Sequence, residues 1–316
     1  MKKDGIGGAE VSEIILEVRN LKKHYPTVKA VDDISFGIER GTVFTLLGPN
    51  GAGKTTTLEI IEGIKKADDG KIVFFGEEMK HVSEEAKQKI GVSLQSTNFI
   101  PHLKVKEIFE LFASFFKKSI PVEEVIGFVS LEEKKADLVE KLSGGQKQRV
   151  AVGCALINDP DMVFLDEPTT GLDPQARRNI WGIIEHLRNQ GKTIFLTTHY
   201  MEEAQKLSDK VCIMDHGKII AIDTPAGHIK KLGELNYVEF AADLEQQDIE
   251  EMNSWDIEEV ETEGEKVIIP TKSLHVVLEK LLSWAKKKGF NLNDISVRQP
   301  NLEDVFLSLT GRRLRD

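Results

Sequence analysis

"GPNGAGKTT", residues 48–56, decides the fold. It fits the pattern G-x-x-x-x-G-K-[S/T] in full, with Gly48, Gly53, Lys54 and Thr55 in the fixed places. Glycines let a backbone wrap an anion and point its N–H groups inward. Asn50, Gly51 and Gly53 would form that cradle. Lys54 would reach the β- and γ-phosphates of a nucleotide, and the Thr55 hydroxyl would ligate Mg²⁺. Thr56 adds a second hydroxyl on the α-phosphate side. Immediately before the loop, "TVFTLLG" (42–48) reads as a strand. Immediately after it, "KTTTLEIIEGI" (54–64) reads as a helix. Strand, glycine loop and helix in that order are the context a phosphate loop needs.

Working outward, "DMVFLDEP" (161–168) supplies four apolar residues and then two acids. The apolar run is a buried strand, and it delivers Asp166 and Glu167 to its C-terminal end, where open α/β sheets bind ligands. Asp166 is the candidate Mg²⁺ ligand, and Glu167 the candidate general base that polarises an attacking water. A helix over 174–190 and a strand in "KTIFLTTH" (192–199) come next. Then come "DKVCIMD" and "KIIAIDT" around a His-Gly turn, with "EIILEVRNLKKHY" (13–25) strand-like near the start. Residues 101–141 read as mostly helical, with one apolar face in "VKEIFELFASFF" (105–116). The fold class is therefore α/β. It comprises a phosphate-loop ATPase core with a mainly parallel sheet, a small antiparallel β part and a helical subdomain at about 96–155.

Near residue 233 the rhythm breaks. Residues 14–233 form the ATPase domain, and 234–316 a small C-terminal accessory α+β domain. In the latter, "EVETEGEKVIIP" (259–270) suggests a hairpin. "SLHVVLEKLLSWAKKKG" (273–289) is an amphipathic helix with a Ser N-cap and a Gly stop, and "DISVRQP" (294–300) is a strand. "NLEDVFLSLTG" (301–311) is a last helix capped by Asn301, with Leu302, Val305, Phe306 and Leu309 at the spacing of a buried face. Residues 1–13 read as a flexible tail without the apolar core of a secretory signal. The closing "RRLR" reads as a solvated terminus.

Bulk properties narrow the function. A net charge of −10 disfavours a general electrostatic grip on nucleic acid or anionic lipid. No apolar run reaches the ~18–20 residues of a membrane span. The cysteines, Cys154 and Cys212, lie in apolar stretches without metal-ligand spacing and read as reduced and buried.

"LSGGQKQR" (142–149) places a serine and two glycines at what reads as a second helix start, which favours anions through free N–H groups and the helix dipole. A phosphate loop, "LSGGQ", an acidic strand end and "LTTH" together resemble the ATPase subunit of an ATP-binding cassette (ABC) transporter, over roughly residues 14–233. The resemblance implies further roles. Tyr25 would stack on adenine. Gln95, in "VSLQST", would sense Mg²⁺ and the membrane partner. Asp173, in "GLDP", would lie at the subunit junction, and His199 would contact the γ-phosphate. It also implies a homodimer with a second ATPase subunit. Two copies face head to tail, and Ser143, Gly144 and Gly145 of one close over the ATP held by the other.

The ending "RQPNLEDVFLSLTGRRLRD" is similar to that of ATPase subunits of drug-resistance and ABC-2 type exporters. The implied function is an ATP-hydrolysing subunit on the inner face of the cell membrane, driving a separately encoded transmembrane permease. ATP and Mg²⁺ are the implied cofactors, and no nucleic acid is expected. Two other members of the superfamily compete. A soluble ATPase acting on nucleic acid or the ribosome is disfavoured by the single cassette, the acidic charge and the short span from Lys54 to Ser143. An importer ATPase is disfavoured by the short mixed tail. The cargo is not written in this chain.

Overall fold

The structure, a computed structural model, describes residues 13–311 except 80–81, 96–97, 234, 256, 258–259 and 291. The expected N-terminal tail, save Glu13, and the "RRLR" ending lie outside the described residues. Chain contacts divide the molecule into two compact units, and the division falls between Pro225 and Ala226, ahead of the composition break near 233.

In the first unit the chain runs β1 (Ile14–Tyr25), β2 (Val28–Glu39), β3 (Val43–Leu47), α1 (Lys54–Ile61), β4 (Asp69–Phe74), β5 (Glu77–Met79), α2 (Glu84–Lys87) and β6 (Ile90–Ser93). It continues through α3 (Val105–Ala113), α4 (Val122–Phe128), α5 (Gly144–Leu156), β7 (Met162–Asp166), α6 (Pro174–Asn189), β8 (Thr193–Thr198), α7 (Met201–Leu207), β9 (Lys210–Asp215) and β10 (Lys218–Asp223). A six-stranded sheet has the order β10-β9-β3-β8-β7-β6. From β9 across to β6 its strands pair in parallel, and β10 closes one edge antiparallel. A separate antiparallel sheet has the order β2-β1-β4-β5.

The parallel strands carry unbroken apolar runs because both faces are covered. Every residue of β3, β7 and β8 is buried. Alternate side chains go to opposite layers. Val163, Leu165, Ile194 and Leu196 join the core formed with the helices α3 to α6. Phe164, Phe195, Phe44 and Leu46 join the core under the antiparallel sheet and α1. There Phe36 stacks on Phe44 with ring centroids 5.2 Å apart, and Phe195 meets Phe44 edge-on at 5.7 Å.

Residues 101–141 are less helical than their composition suggests. Helix α3 ends at Ala113 rather than Phe116, and single 3₁₀ turns occupy 132–134 and 139–141. The exposed Phe115 lies beyond that helix end.

The second unit contains α8 (Pro225–Lys230), β11 (Asn236–Ala241), α9 (Gln246–Asn253), β12 (Glu261–Glu263), β13 (Lys266–Thr271), α10 (Leu274–Lys288), β14 (Asn293–Arg298) and α11 (Leu302–Thr310), with α8 starting one residue before the division. Its antiparallel sheet has the order β12-β13-β11-β14. Two expectations for it need correction. Ser273 precedes α10 but its side chain makes no cap bond; instead its N–H donates to Thr271 Oγ1 at 2.9 Å. Leu309 is 43% exposed, while Leu302, Val305 and Phe306 are buried, because α11 turns only its first two turns inward. Asn301 does cap α11, accepting from the N–H groups of Glu303 and Asp304.

Close packing between β6 and α5 leaves no room for a methyl at Gly91: an added Cβ would lie 1.8 Å from the Ala155 carbonyl oxygen. Gly91→Ala should destabilise by roughly 1–3 kcal/mol, through forced backbone shifts. Gly182, inside α6 with nothing within 4 Å of an added Cβ, is the control. Gly182→Ala should stabilise by up to ~1 kcal/mol. Thermal unfolding of both variants checks the pair, and equal melting shifts would contradict the packing described.

Candidate active site

The register of the parallel sheet builds the site. Strands β6, β7, β8 and β3 are neighbours, with Leu47 opposite Thr198 and Asp166 opposite Thr197. All four therefore end at one edge of the sheet. The glycine loop leaves the end of β3, Glu167 the end of β7 and His199 the end of β8, while Gln95 lies just past β6.

The loop itself is shaped by steric exclusion. A Cβ on Gly48 would lie 2.2 Å from the Met214 carbonyl oxygen. Gly53, at φ 106°, caps α1 in the left-handed region, where a Cβ would also meet the Ala30 carbonyl oxygen at 2.1 Å. No side chain caps the start of α1. The first-turn N–H groups thus face out with the positive end of the helix dipole behind them. Gly51, at φ 81°, has open space around it, so a phosphate can approach the backbone closely. Asn50 is exposed at the rim, and Thr56 is half-buried.

Lys54 is only 4% exposed. Its ammonium donates to the carbonyl oxygens of Gly48 (2.8 Å) and Pro49 (3.1 Å) and pairs with Glu167 Oε1 at 3.1 Å. The other carboxylate oxygen, Oε2, accepts from Gln95 Nε2 at 3.2 Å and from Thr170 Oγ1 at 3.1 Å, and lies 3.2 Å from His199 Nδ1. Glu167 itself has φ 45°, an uncommon conformation for a non-glycine residue. Its N–H is anchored by Thr197 Oγ1 at 3.0 Å. Burial opposes ionisation of Glu167, but the His199 contact and the Lys54 charge outweigh it and hold the pKa at about 2.

Asp166 differs. It accepts from the Thr197 hydroxyl and, at 3.4 Å, from Thr55 Oγ1. Burial pushes its pKa up, aided by the neighbouring Glu167 charge and opposed by these hydroxyls. Asp166 Oδ1 and Thr55 Oγ1 are adjacent hard oxygen donors at the mouth of the glycine loop. That pair fits Mg²⁺, which keeps waters and takes its remaining ligands from phosphate oxygens.

Lys54, Thr55, Asp166, Glu167, Gln95 and His199 therefore share one cluster. Asn50, Gly51, Gly53 and Thr56 belong to the loop beside it, and the remaining candidates bond to groups outside the cluster. Ser143 caps α5 and forms a reciprocal box with Gln146. Ser143 and Gly144 are exposed, whereas Gly145 is required by packing, since its Cβ would lie 2.6 Å from that of Ala176. The Asp173 carboxylate caps α6, accepting from Gln175 and Ala176 N–H groups at 2.9 Å. Tyr25 ends β1, 41% exposed, with Lys23 Nζ 5.6 Å from its ring centre. Sequence reading missed Thr197 and Thr170, which hold the two acids; "LTTH" contains the first without distinguishing it. Both cysteines are buried and free.

The ABC transporter family matches residues 31–170. The chain is 39% identical to the Nod factor export ATP-binding protein I of Ralstonia nicotianae, over 99% of this chain and 97% of that one. This chain belongs to the ATP-binding subunits of ABC transporters. It is also 35% identical to the linearmycin resistance ATP-binding protein LnrL of Bacillus subtilis, over 96% of this chain and all of that one (100%). Among solved structures, the dimeric cassette MJ0796 in a post-hydrolysis state with ADP and phosphate has a TM-score of 0.60 at 25% identity, covering 66% of this chain and 98% of that one. The cassette is thus an ATPase of the transport family, and its sheet, antiparallel layer and helices are those of an ABC ATPase.

The Lys54–Glu167 pair gives this ABC ATPase a measurable signature. Glu167→Gln should cost the nucleotide-free protein roughly 3 kcal/mol, the scale of a buried ion pair that loses one partner. Because folding lowers the Glu167 pKa from 4.5 to about 2, its contribution is present above pH 4.5 and fades as pH falls toward 2. Denaturant titrations at several pH values should show wild type and variant converging across that window. A gap that stays constant would contradict the pairing.

Proposed function

We propose that this chain is the ATP-hydrolysing subunit of an exporter, that two copies close head to tail around two Mg²⁺-ATP molecules, and that closure drives a separately encoded permease. The observation that carries the reading is the convergence of Lys54, Gln95, Asp166, Glu167 and His199 at one sheet edge, while the N-terminus of α5 stands exposed and uses Ser143 only for its own cap. Two relatives whose names specify export or antibiotic resistance match nearly the whole chain, the C-terminal unit included, which supports the exporter assignment. The dimeric cassette of similar fold supports the pairing of copies. Among the described residues no helix is long and apolar enough to cross a membrane, in keeping with a cytoplasmic subunit held peripherally through its permease.

In this reading the phosphates are cradled by the backbone from Asn50 to Thr56, and Tyr25 stacks on adenine. Lys54 gives up Glu167 to meet the β- and γ-phosphates, which carry more charge than one carboxylate. Glu167, released from that cation, becomes a better proton acceptor and polarises the attacking water. Mg²⁺, when bound, neutralises charge developing between the phosphates. Thr55 and Asp166 would hold it, with Gln95 beside them. His199 keeps its imidazole beside Glu167 and within the space the γ-phosphate would enter. Ser143, Gly144 and Gly145 supply the partner's site with N–H groups and a hydroxyl, and Asp173 fixes the helix at the junction.

The permease has a candidate seat. A cleft of about 360 Å³ is lined by Glu62, Gln88, Phe112, Phe115, Phe116 and Asn158. Both Glu62 carboxyl oxygens and Asn158 Oδ1 are buried without a hydrogen-bond partner. Burial, then the charges of Asp166 and Glu59, push the Glu62 pKa up to about 8. Phe115 stands 64% exposed at the rim. Unsatisfied polar groups beneath exposed aromatic surface favour a partner that brings apolar side chains together with both hydrogen-bond donors and acceptors. Phe115→Glu should reduce co-purification with the permease at least tenfold while leaving ATP affinity unchanged; undiminished recovery of the complex would remove this surface from the proposal.

Glu167→Gln should bind ATP yet hydrolyse it ~10²–10⁴-fold more slowly, the usual loss on removing a general base. It should also accumulate an ATP-bound dimer on size-exclusion chromatography. Sharing of sites is tested by mixing Ser143→Arg with Lys54→Ala chains. Head-to-tail closure creates one intact site per mixed pair, so activity should return, with exchange verified by two tags. If Ser143 served its own chain's loop, every site would stay defective and mixing verified chains would restore nothing.

A further inference from the structure

Beside the catalytic cluster lies a stacked pair of side chains to which ATP binding and proton transfer assign no role. Tyr200 comes directly after His199, and its N–H donates to Thr198 Oγ1 at 3.0 Å. Its ring lies against the His199 imidazole, centroids 4.2 Å apart and planes tilted by 43°. The guanidinium of Arg177, from the first turn of α6, covers the Tyr200 ring with Cζ 4.3 Å from its centre. Arg177 is a half-buried cation whose Nε is buried without a hydrogen-bond partner. Below it Glu203, fully buried in α7, accepts from Trp181 Nε1 at 2.8 Å and feels the Arg177 charge. The cation therefore sits between the Tyr200 ring and the charge of Glu203, with its Nε shielded from water, a placement set by its neighbours rather than by solubility.

His199 needs such help. Its one described hydrogen-bonding partner is Glu167 Oε2, and a single contact does not fix the plane of an imidazole whose terminal torsion is broad. A ring packed at 4.2 Å against it restricts that rotation, and a cation over the ring holds the ring in turn. We infer that Arg177 and Tyr200 are positioning residues for ATP hydrolysis: the guanidinium fixes the Tyr200 ring, and the ring fixes His199 against Glu167. The inference rests on the reading that His199 serves hydrolysis.

The test uses the full chain, assembled with its permease where turnover requires it. Tyr200→Leu and Arg177→Met should each lower kcat at least tenfold with ATP affinity within twofold of wild type. Tyr200→Phe keeps the ring and should stay within threefold. In a His199→Ala background, Tyr200→Leu should have no further effect, since residues acting through one group are not additive. Proton resonances of the His199 ring supply a readout independent of turnover. Arg177→Met keeps the Tyr200 ring and its ring current, so movement of these resonances in that variant reports reorientation of the two rings, whereas Tyr200→Phe should leave them near their wild-type positions. Unchanged His199 resonances in Arg177→Met would overturn the positioning role even if activity fell. A full tenfold loss added on top of His199→Ala would assign Tyr200 some other task. If His199→Ala alone hydrolyses ATP normally, the reading of His199 fails, while the resonance shifts still report whether the clamp exists.

Discussion

A buried cation and a buried carboxylate 3.1 Å apart organise the active site. The side chains of Lys54 and Glu167 are 4% and 5% exposed, so neither charge has water to fall back on. Two burials of this kind are costly unless the pair is close and its remaining valences are filled. They are filled: Lys54 uses two carbonyl oxygens of the glycine loop, and Glu167 draws in Gln95, Thr170 and His199. Under the roles proposed for them, the group that would activate water and the group that would bind phosphate are held against each other when no nucleotide is bound. A nucleotide competing for Lys54 would free Glu167 by the same exchange, so that binding and activation would be one event.

That geometry depends on sheet register. Adjacent parallel strands β6, β7, β8 and β3 end level with one another, so four loops distant in sequence deliver their side chains to one place. A slip of one residue in β7 would turn Asp166 into the core and bring Leu165 to the site. Val163 and Leu165 fill one packed core and Met162 and Phe164 the other, so a slip would exchange side chains of different shape between two close-packed layers. Packing in the two cores therefore aligns the side chains of the candidate site as well as stabilising the sheet.

Much of this was legible in the sequence, for physical reasons. Strands buried on both faces read as continuous apolar runs, so "VFTLL", "MVFLD" and "TIFLTT" identified themselves. The glycine loop was legible because its backbone tolerates few other residues. Strand β4 was not: "DGKIVF" is largely exposed at its start and resembles a loop. Helix α9 hides in an acidic stretch, where few apolar side chains beyond Ile249 and Met252 show a helical face and a carboxylate box fixes its start. Thr197 reads as an ordinary β-former, yet its hydroxyl bonds Asp166 and anchors the Glu167 N–H. Arg177 reads as one charge on a polar helix, and only the tertiary fold lays it over Tyr200. Leu309 shows the reverse error, where helical periodicity continued after the neighbouring surface had ended.

The left-handed backbone of Glu167 carries a genetic consequence. A single base change converts a glutamate codon to glycine, the residue best suited to φ 45°. The backbone would relax by about 1 kcal/mol. The same change strips Lys54 of its counter-ion, a loss of roughly 3–5 kcal/mol for a buried pair. The second effect exceeds the first. Drift toward the residue the backbone prefers therefore runs uphill in folding free energy, and the buried counter-ion rather than the backbone decides which residue this position tolerates.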